Sequence, residues 1–309
     1  MRPSNNLNYD IIFPFFKDYE YLEKSLNYIN LQNLLPNNLI FIDDGNKNPN
    51  LLTLIKKNLS NKINLIFISF DNNKGNITGV LEGVKRVKAS YFFIMAADDI
   101  YYPDLSIKSL TLLSQNKNTG FVCSNIISNY KDKNFKKSIK YSFLNKIHYK
   151  PEEAKKILKF QMIKFYHNTV FYRTAYFKKI NYFNKIIGPR CDFYNLIFFS
   201  SKFGFSYLDE YLAEFTIRKD QINKRYKDKY LIEEMKIIKK NFKEFFNLVK
   251  ELDMFFDLSP FGVFKLKNAD LGEIVSYNLI KKSIFFYLWK KLRVYMPDSI
   301  IQFVYKIIN

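Results

Sequence analysis

Four short apolar runs, separated by stretches of helical spacing, constrain the first hundred residues to one kind of fold. Residues 9–16 (YDIIFPFF), 38–42 (NLIFI), 63–70 (INLIFISF) and 91–95 (YFFIM) are rich in Ile and aromatic side chains and bounded by Pro, Gly, Asn or Asp. Runs of this length and composition read as buried strands. Between them, residues 18–30 carry Tyr21, Leu22, Leu26 and Ile29 at helical spacing, residues 51–59 repeat that pattern, and a third helix is expected after Asn73-Lys74-Gly75, through Val87. Strand–helix alternation at short intervals predicts an α/β fold with a mostly parallel sheet flanked by helices. Ligands of such sheets sit beyond the carboxyl ends of the strands. Three of these ends are polar here: residues 14–18, where Pro14 is expected to end the strand, residues 43–46, and the pair Asp98-Asp99.

Two adjacent carboxylates after an apolar strand repel one another and are costly to desolvate unless a positive charge joins them. On the residues alone, Asp98-Asp99 is either an ordinary acidic turn or a cation site. Composition narrows the field. With 48% hydrophobic residues, 32 Phe and 23 Tyr among them, the chain is too apolar to be disordered. Its 49 Lys and Arg against 29 Asp and Glu give +20, which favours an anionic partner such as nucleic acid, a phospholipid surface or a phosphorylated substrate. No nucleic-acid-binding motif accompanies that charge, and acidic strand ends would repel phosphates unless a metal intervened. Cys123 and Cys191 lack disulfide-framework or metal spacing, and His148 and His167 have no ligand partner at suitable spacing. Residues 1–10 (MRPSNNLNYD) lack the apolar run of a signal peptide, and no segment approaches the ~18–20 apolar residues of a membrane span. A cytoplasmic protein, soluble or peripheral on the membrane, is expected.

After Gly120 the pattern changes. Residues 120–125, 169–173 and 205–215 read as strands, 151–166 as a basic amphipathic helix, and the chain beyond 220 as helical, clearest over 224–243. This divides the chain into a sheet-based unit at 1–220 and a helical C-terminal region at 221–309. Near the end, Ile284, Phe285, Leu288, Trp289, Leu292, Tyr295 and Met296 share one helical side, with Lys281, Lys282, Lys290, Lys291 and Arg293 flanking them. Such helices either pack on the preceding unit or lie in the plane of an anionic membrane.

Taken in order, these motifs resemble a family-2 glycosyltransferase of the GT-A fold, over about residues 9–223. The resemblance rests on Pro14-Phe15-Phe16, Asp43-Asp44-Gly45-Asn46, Asn73-Lys74-Gly75, Lys88-Ala89-Ser90-Tyr91 and Ala96-Ala97-Asp98-Asp99 followed by Pro103. Cys191-Asp192, Phe203-Gly204-Phe205 and Ile217-Arg218-Lys219-Asp220 continue it. Five motifs in order at matching spacings are a strong signal where each alone is weak. Ala96 stands where the family's first acid is usual, Ala89 where a glycine is, Cys191 where a glutamate is, and Asp220 where a histidine is common.

The resemblance implies inverting transfer of a sugar from a nucleotide-diphosphate donor, UDP-type favoured, to a hydroxyl of a surface glycan or lipid-linked acceptor. It implies Asp98 as ligand of Mg²⁺ or Mn²⁺, with Asp99 as second ligand or orienting partner, and Asp192 as the base. Asp192 is equally suited to capping the helix that follows it. Asp43 and Asp44 would recognise the nucleoside, with Pro14, Phe15, Asn73 and Gly75 beside it, although core packing is the plainer role for Phe15. Arg218 and Lys219 would hold the diphosphate or form a solvated loop. A catalytically impaired relative remains an alternative because of Ala96 and Cys191. A sugar-phosphate nucleotidyltransferase is disfavoured, since residues 13–20 (FPFFKDYE) contain no glycine.

Overall fold

The computed structural model describes residues 7–141, 144–159, 165–180, 191–218 and 228–252. The N-terminal half alternates strands and helices: β1 (Tyr9–Phe15), α1 (Tyr19–Asn30), β2 (Asn38–Asp43), α2 (Leu51–Asn58), β3 (Asn64–Ser69), α3 (Asn76–Arg86) and β4 (Tyr91–Ile94). Then follow β5 (Ile100–Tyr101), α4 (Leu105–Gln115), β6 (Phe121–Tyr130), β7 (Phe135–Ile139), β8 (His148–Tyr149) and α5 (Pro151–Lys159). The remaining described elements are β9 (Phe171–Arg173), α6 (Thr174–Lys179), α7 (Cys191–Phe203), β10 (Phe205–Ile217), α8 (Asp228–Asn241) and α9 (Lys243–Glu251). One mixed sheet runs β3-β2-β1-β4-β9-β6-β10-β5, with β7 added to β6 and β8 to β10. Strands β3, β2, β1 and β4 are parallel, β9 runs against both β4 and β6, and β10 is parallel to β6.

Side-chain alternation along β1 divides the core between the two faces of the sheet. Phe13 and Phe15 pack with Leu39 and Phe41 of β2, with Leu22, Leu26 and Ile29 of α1, and with Leu51 and Ile55 of α2. Ile12 packs on the other face with Ile40, Ile42 and Val80 of α3. Each of these fully buried side chains contributes roughly 1.5–3 kcal/mol of transfer free energy, so a one-residue register slip would expose several at once.

Pro14 does not end its strand, contrary to the sequence expectation. It lies inside β1, opposite Ile42. Ile12 O accepts the amide of Met95, so even-numbered residues of β1 direct their backbone groups toward β4. That ladder stops at the Ile12–Ile94 pair, and the missing N–H of Pro14 therefore breaks no strand pairing. The two-residue strands β5 and β8 went unread because two residues carry no periodicity.

Helices α8 and α9 lie beyond residue 220 yet join the same core. Ile232, Met235, Ile238, Phe245 and Val249 cluster with Leu196, Ile197 and Phe198 of α7, and the Tyr194 hydroxyl donates to Glu234 Oε2 (3.0 Å). The amphipathic pattern read over 281–308 lies outside the described residues, as do Lys219 and Asp220. No helix among the described residues is long and apolar enough to cross a membrane.

Candidate active site

The carboxyl ends of β1, β2 and β4 form one edge of the sheet, and the predicted site residues of these strands gather there. The loops after β2 and β3 are locked together by Asp43 and Asp44, both buried. Asp43 Oδ1 accepts the Asn46 amide (2.9 Å) and its side-chain N–H (2.6 Å), and Asp43 Oδ2 accepts the Ser69 hydroxyl (2.9 Å). Asp44 accepts two backbone amides of the next loop, Lys74 N on Oδ1 (2.7 Å) and Gly75 N on Oδ2 (3.0 Å). Gly45, at φ +80°, lets the loops approach this closely: a Cβ there would sit 2.5 Å from the backbone of Asn72 and Asn73. Both aspartates thus brace the walls of the site, a role the nucleoside-recognition reading did not include. Gly75 (φ +88°) caps α3, and Asn73 is exposed on the same loop.

Phe15 belongs to the core. It is 1% exposed and packs against Phe13, Tyr19 and Phe41, so the neighbouring Phe16, only half-buried, is the more accessible of the two. Pro14 likewise packs inward, its Cβ close to where a side chain on Gly79 of α3 would begin.

After β4 the chain turns through Ala96-Ala97-Asp98-Asp99 into β5. The Tyr101 hydroxyl donates to Ala96 O (3.2 Å) and accepts from Ala96 N (3.0 Å), closing the loop around the position where the family's first acid is replaced. Asp99 is 3% exposed, and its Oδ1 accepts the Thr216 amide (2.8 Å). It pins the end of β10 to this loop, and Arg218, two residues on, falls beside Asp98. Of the two roles expected for Asp99, second ligand or orienting partner, this geometry is that of an orienting group: the buried carboxylate holds the loop and β10 together. Burial drives the Asp99 carboxyl well above the usual carboxylate range, and the Asp98 charge adds to the shift.

Asp98 is the accessible member of the pair. Arg218 Nε lies 3.3 Å from Asp98 Oδ2, while Arg218 Nη1 lies 3.2 Å from Asp18 Oδ1 at the start of α1. The guanidinium also stacks 5.5 Å from the Tyr21 ring centroid, and Lys131 approaches the same ring to 4.0 Å. Burial raises the Asp98 carboxyl; Arg218 opposes that rise and Asp18 adds to it. Asp18, Tyr21 and Lys131 were not assigned to the site from sequence. Asp18 and Tyr21 stand just past the first strand end, which was a usable signal, whereas Lys131 arrives on a hairpin from over a hundred residues away.

Asp192 occupies the first turn of α7, and its Oδ1 accepts the Phe193 amide (2.7 Å), a bond to the adjacent residue and not the reach of two or three residues that marks an N-cap. Cys191 beside it is buried, and burial pushes its thiol far up, so it carries no charge in place of the family's glutamate. The Tyr172 hydroxyl lies near both the Asp192 carboxylate and the Asn195 amide. The turn before β9 brings Asn168 to Asp99, so residues 168–172 run between the two acidic groups. His167 in that turn is half-buried with its Nε2 shielded from solvent, and desolvation lowers its pKa to about 4 and keeps it neutral.

The donor set around Asp98 suits a hard divalent cation. It offers carboxylate oxygens, and Asp98 remains raised in spite of Arg218, so a further positive charge would relieve it. No group of three or more His, Cys, Asp or Glu side chains that could hold a metal occurs among the described residues. A cation here would therefore draw most of its oxygens from a bound phosphate and from water.

A mixed sheet with four parallel strands at its start, paired carboxylates after β4 and a basic side chain brought to them from the end of β10 has the arrangement of a GT-A-fold glycosyltransferase. The sequence model of glycosyl transferase family 2 matches residues 10–181, more than half of the chain, and the chain belongs to that family. No curated protein matches it in sequence. Among solved structures, it is similar to S. aureus TarS residues 1–349 in complex with UDP-GlcNAc, at 15% identity and TM-score 0.65, over 88% of this chain and 82% of that one. It is also similar to the mannosyltransferase PcManGT from Pyrobaculum calidifontis in complex with GDP-Man and Mn²⁺, at 12% identity and TM-score 0.59, over 96% and 83%. At these identities the likeness carries the fold.

Proposed function

We propose that this glycosyltransferase moves a sugar, with inversion, from a nucleoside-diphosphate donor to an acceptor hydroxyl in surface-polysaccharide or glycolipid synthesis. The observation that carries the reading is the Asp98–Arg218 pair at 3.3 Å, set at the carboxyl ends of the parallel strands of a family-2 chain. The structures similar to it hold UDP-GlcNAc and GDP-Man, which makes a nucleotide-sugar donor the substrate of choice, with a UDP-type donor favoured.

In this reading Asp98 would hold Mg²⁺ or Mn²⁺ together with the donor's diphosphate. When bound, the cation supplies neutralisation of the charge that grows on the leaving diphosphate. Arg218 serves the same end from the protein side by charge-assisted hydrogen bonds, and Lys219 is assigned with it. Asp99 fixes the loop and the end of β10. Asp192 takes the proton from the acceptor hydroxyl as its oxygen bonds to the anomeric carbon and the bond to the diphosphate breaks on the opposite face. Asp43, Asp44, Asn73 and Gly75 shape the nucleoside end.

Residues 1–220 form the catalytic unit of this proposal. The region at 221–309 contributes α8 and α9 to its core and, through residues 281–308, contact with an anionic membrane on the cytoplasmic side. A thermal-shift panel of nucleoside diphosphates and nucleotide sugars, each with and without Mn²⁺, tests the donor assignment. A ligand at 100 times its Kd raises stability by about 2.7 kcal/mol. Selective stabilisation by one nucleotide class with Mn²⁺ is expected; no response to any of them would contradict the reading.

A further inference from the structure

Beyond Lys131, the basic hairpin beside Asp98 carries side chains with no role in the proposed donor chemistry. Strands β6 and β7 turn through residues 131–134, with Asn134 at φ +45°, and residues 131–140 read KDKNFKKSIK, five lysines against one aspartate. Two of those lysines are committed: Lys136 Nζ lies 2.7 Å from Glu214 and Lys140 Nζ 2.6 Å from Asp209, both on β10. Lys133 and Lys137 are exposed, and neither has a carboxylate partner among the described residues. Alternation along β7 puts Lys137 on the same face as Phe135, opposite Lys136. Phe135 is 52% exposed, its ring 5.8 Å from that of Tyr130. At the inner end, Lys131 stands over the Tyr21 ring, against which Arg218, the partner of Asp98, also lies.

We infer that this hairpin is the acceptor-binding surface and that the acceptor is an anionic glycan chain, one bearing carboxylate, phosphodiester or sulfate groups. The inference rests on the transferase reading above and adds the acceptor's chemical class. Uncommitted lysines spaced along one hairpin draw anionic groups toward the site. An exposed aromatic ring among them gives the apolar face of a sugar ring a surface to lie on. The track ends beside Asp98, which favours a chain that must be threaded to the reacting centre. A membrane surface would need a broader apolar face than one phenylalanine.

Fluorescence anisotropy with labelled, short-chain sulfated dextran and neutral dextran of the same length tests this on the full chain. Lys133→Glu/Lys137→Glu is compared with Lys56→Glu/Lys57→Glu on α2, which changes net charge equally on two exposed lysines of another element. The hairpin variant should lose about tenfold or more in affinity for the sulfated probe, and the α2 variant no more than about threefold. Phe135→Ala should weaken both probes by about threefold to tenfold with no change in charge. Equal losses in the two charge variants would overturn the inference. So would a hairpin variant that stops binding phosphatidylserine-containing vesicles but keeps the sulfated probe. Nucleotide thermal shifts with Mn²⁺, measured on every variant, separate this outcome from failure of the donor reading, which would leave the unmodified protein itself unresponsive.

Discussion

Replacing Asp44 by asparagine separates a brace from a nucleoside-binding group. Asp44 is 2% exposed, and its two oxygens accept the amides of Lys74 and Gly75 at 2.7 and 3.0 Å. Asparagine keeps the shape and one acceptor but turns an N–H₂ toward the other amide, so one charge-assisted hydrogen bond is lost and two donors meet. Bonds to charged groups contribute about 1.5–3 kcal/mol each, and a buried amide left unpaired costs a similar amount. We therefore expect Asp44→Asn to lose about 2–4 kcal/mol and Asp44→Ala somewhat more. For a domain of this size each kcal/mol shifts Tm by about 2–4 °C, so the asparagine variant should melt roughly 4–16 °C lower. Differential scanning calorimetry gives the shift, and hydrogen exchange of a peptide spanning residues 70–76 should show faster exchange at Lys74 and Gly75. An unchanged Tm and exchange pattern, combined with loss of nucleotide affinity, would refute the bracing argument and restore Asp44 as a nucleoside acceptor.

Gly45→Ala should destabilise by more than about 1 kcal/mol, because its Cβ would meet immovable backbone at 2.5 Å and its φ is +80°; chemical denaturation measures it, and a neutral result would contradict the close loop contact. Asp192→Asn should reduce turnover roughly 10²–10⁴-fold while donor affinity stays nearly intact; parallel loss of both in kinetics and calorimetry would point to a helix-capping role instead. His167, half-buried and neutral with its pKa lowered to about 4, takes up its proton more readily in the unfolded chain. The stability it protects is therefore present above the unfolded value near 6.5 and falls as pH drops from there toward 4, by up to about 3 kcal/mol. Urea denaturation across that range should show the loss, and His167→Gln should flatten it; an unaltered slope in the variant would mean other groups carry it.

Much of the fold was legible because β1 to β4 and their helices obey local rules: short Ile- and Phe-rich strands, helical spacing between them, and acidic turns at the strand ends. The position of Asp98 at a strand end was legible for the same reason. Placement of side chains within the site was not. For Asp44 and Asp99 the sequence shows the charge but not the backbone amides that occupy it, which lie 30 and 31 residues away for Lys74 and Gly75 on Asp44 and 117 away for Thr216 on Asp99; Asp43 is held by Asn46, three residues on, and by Ser69, 26 residues away. Phe15 lies on a strand buried on both faces, so period-two reading could not separate core from site there, while Pro14 required knowing that β4 stops pairing at Ile94. Lys131 reaches Tyr21 only through the sheet order that sets β6 beside β10, a non-local fact with no trace in the local pattern.

Isothermal titration of the protein with UDP and with GDP, in Mn²⁺ and in EDTA, for the unmodified chain and for Asp98→Asn, decides whether Asp98 holds the cation. Mn²⁺ should strengthen binding of the preferred nucleotide about tenfold or more in the unmodified protein, since the cation would join Asp98 to the diphosphate. In Asp98→Asn that enhancement should shrink to about twofold or less while weak metal-free binding persists. The same Mn²⁺ enhancement in both proteins would contradict the assignment of Asp98 as the residue that holds the cation.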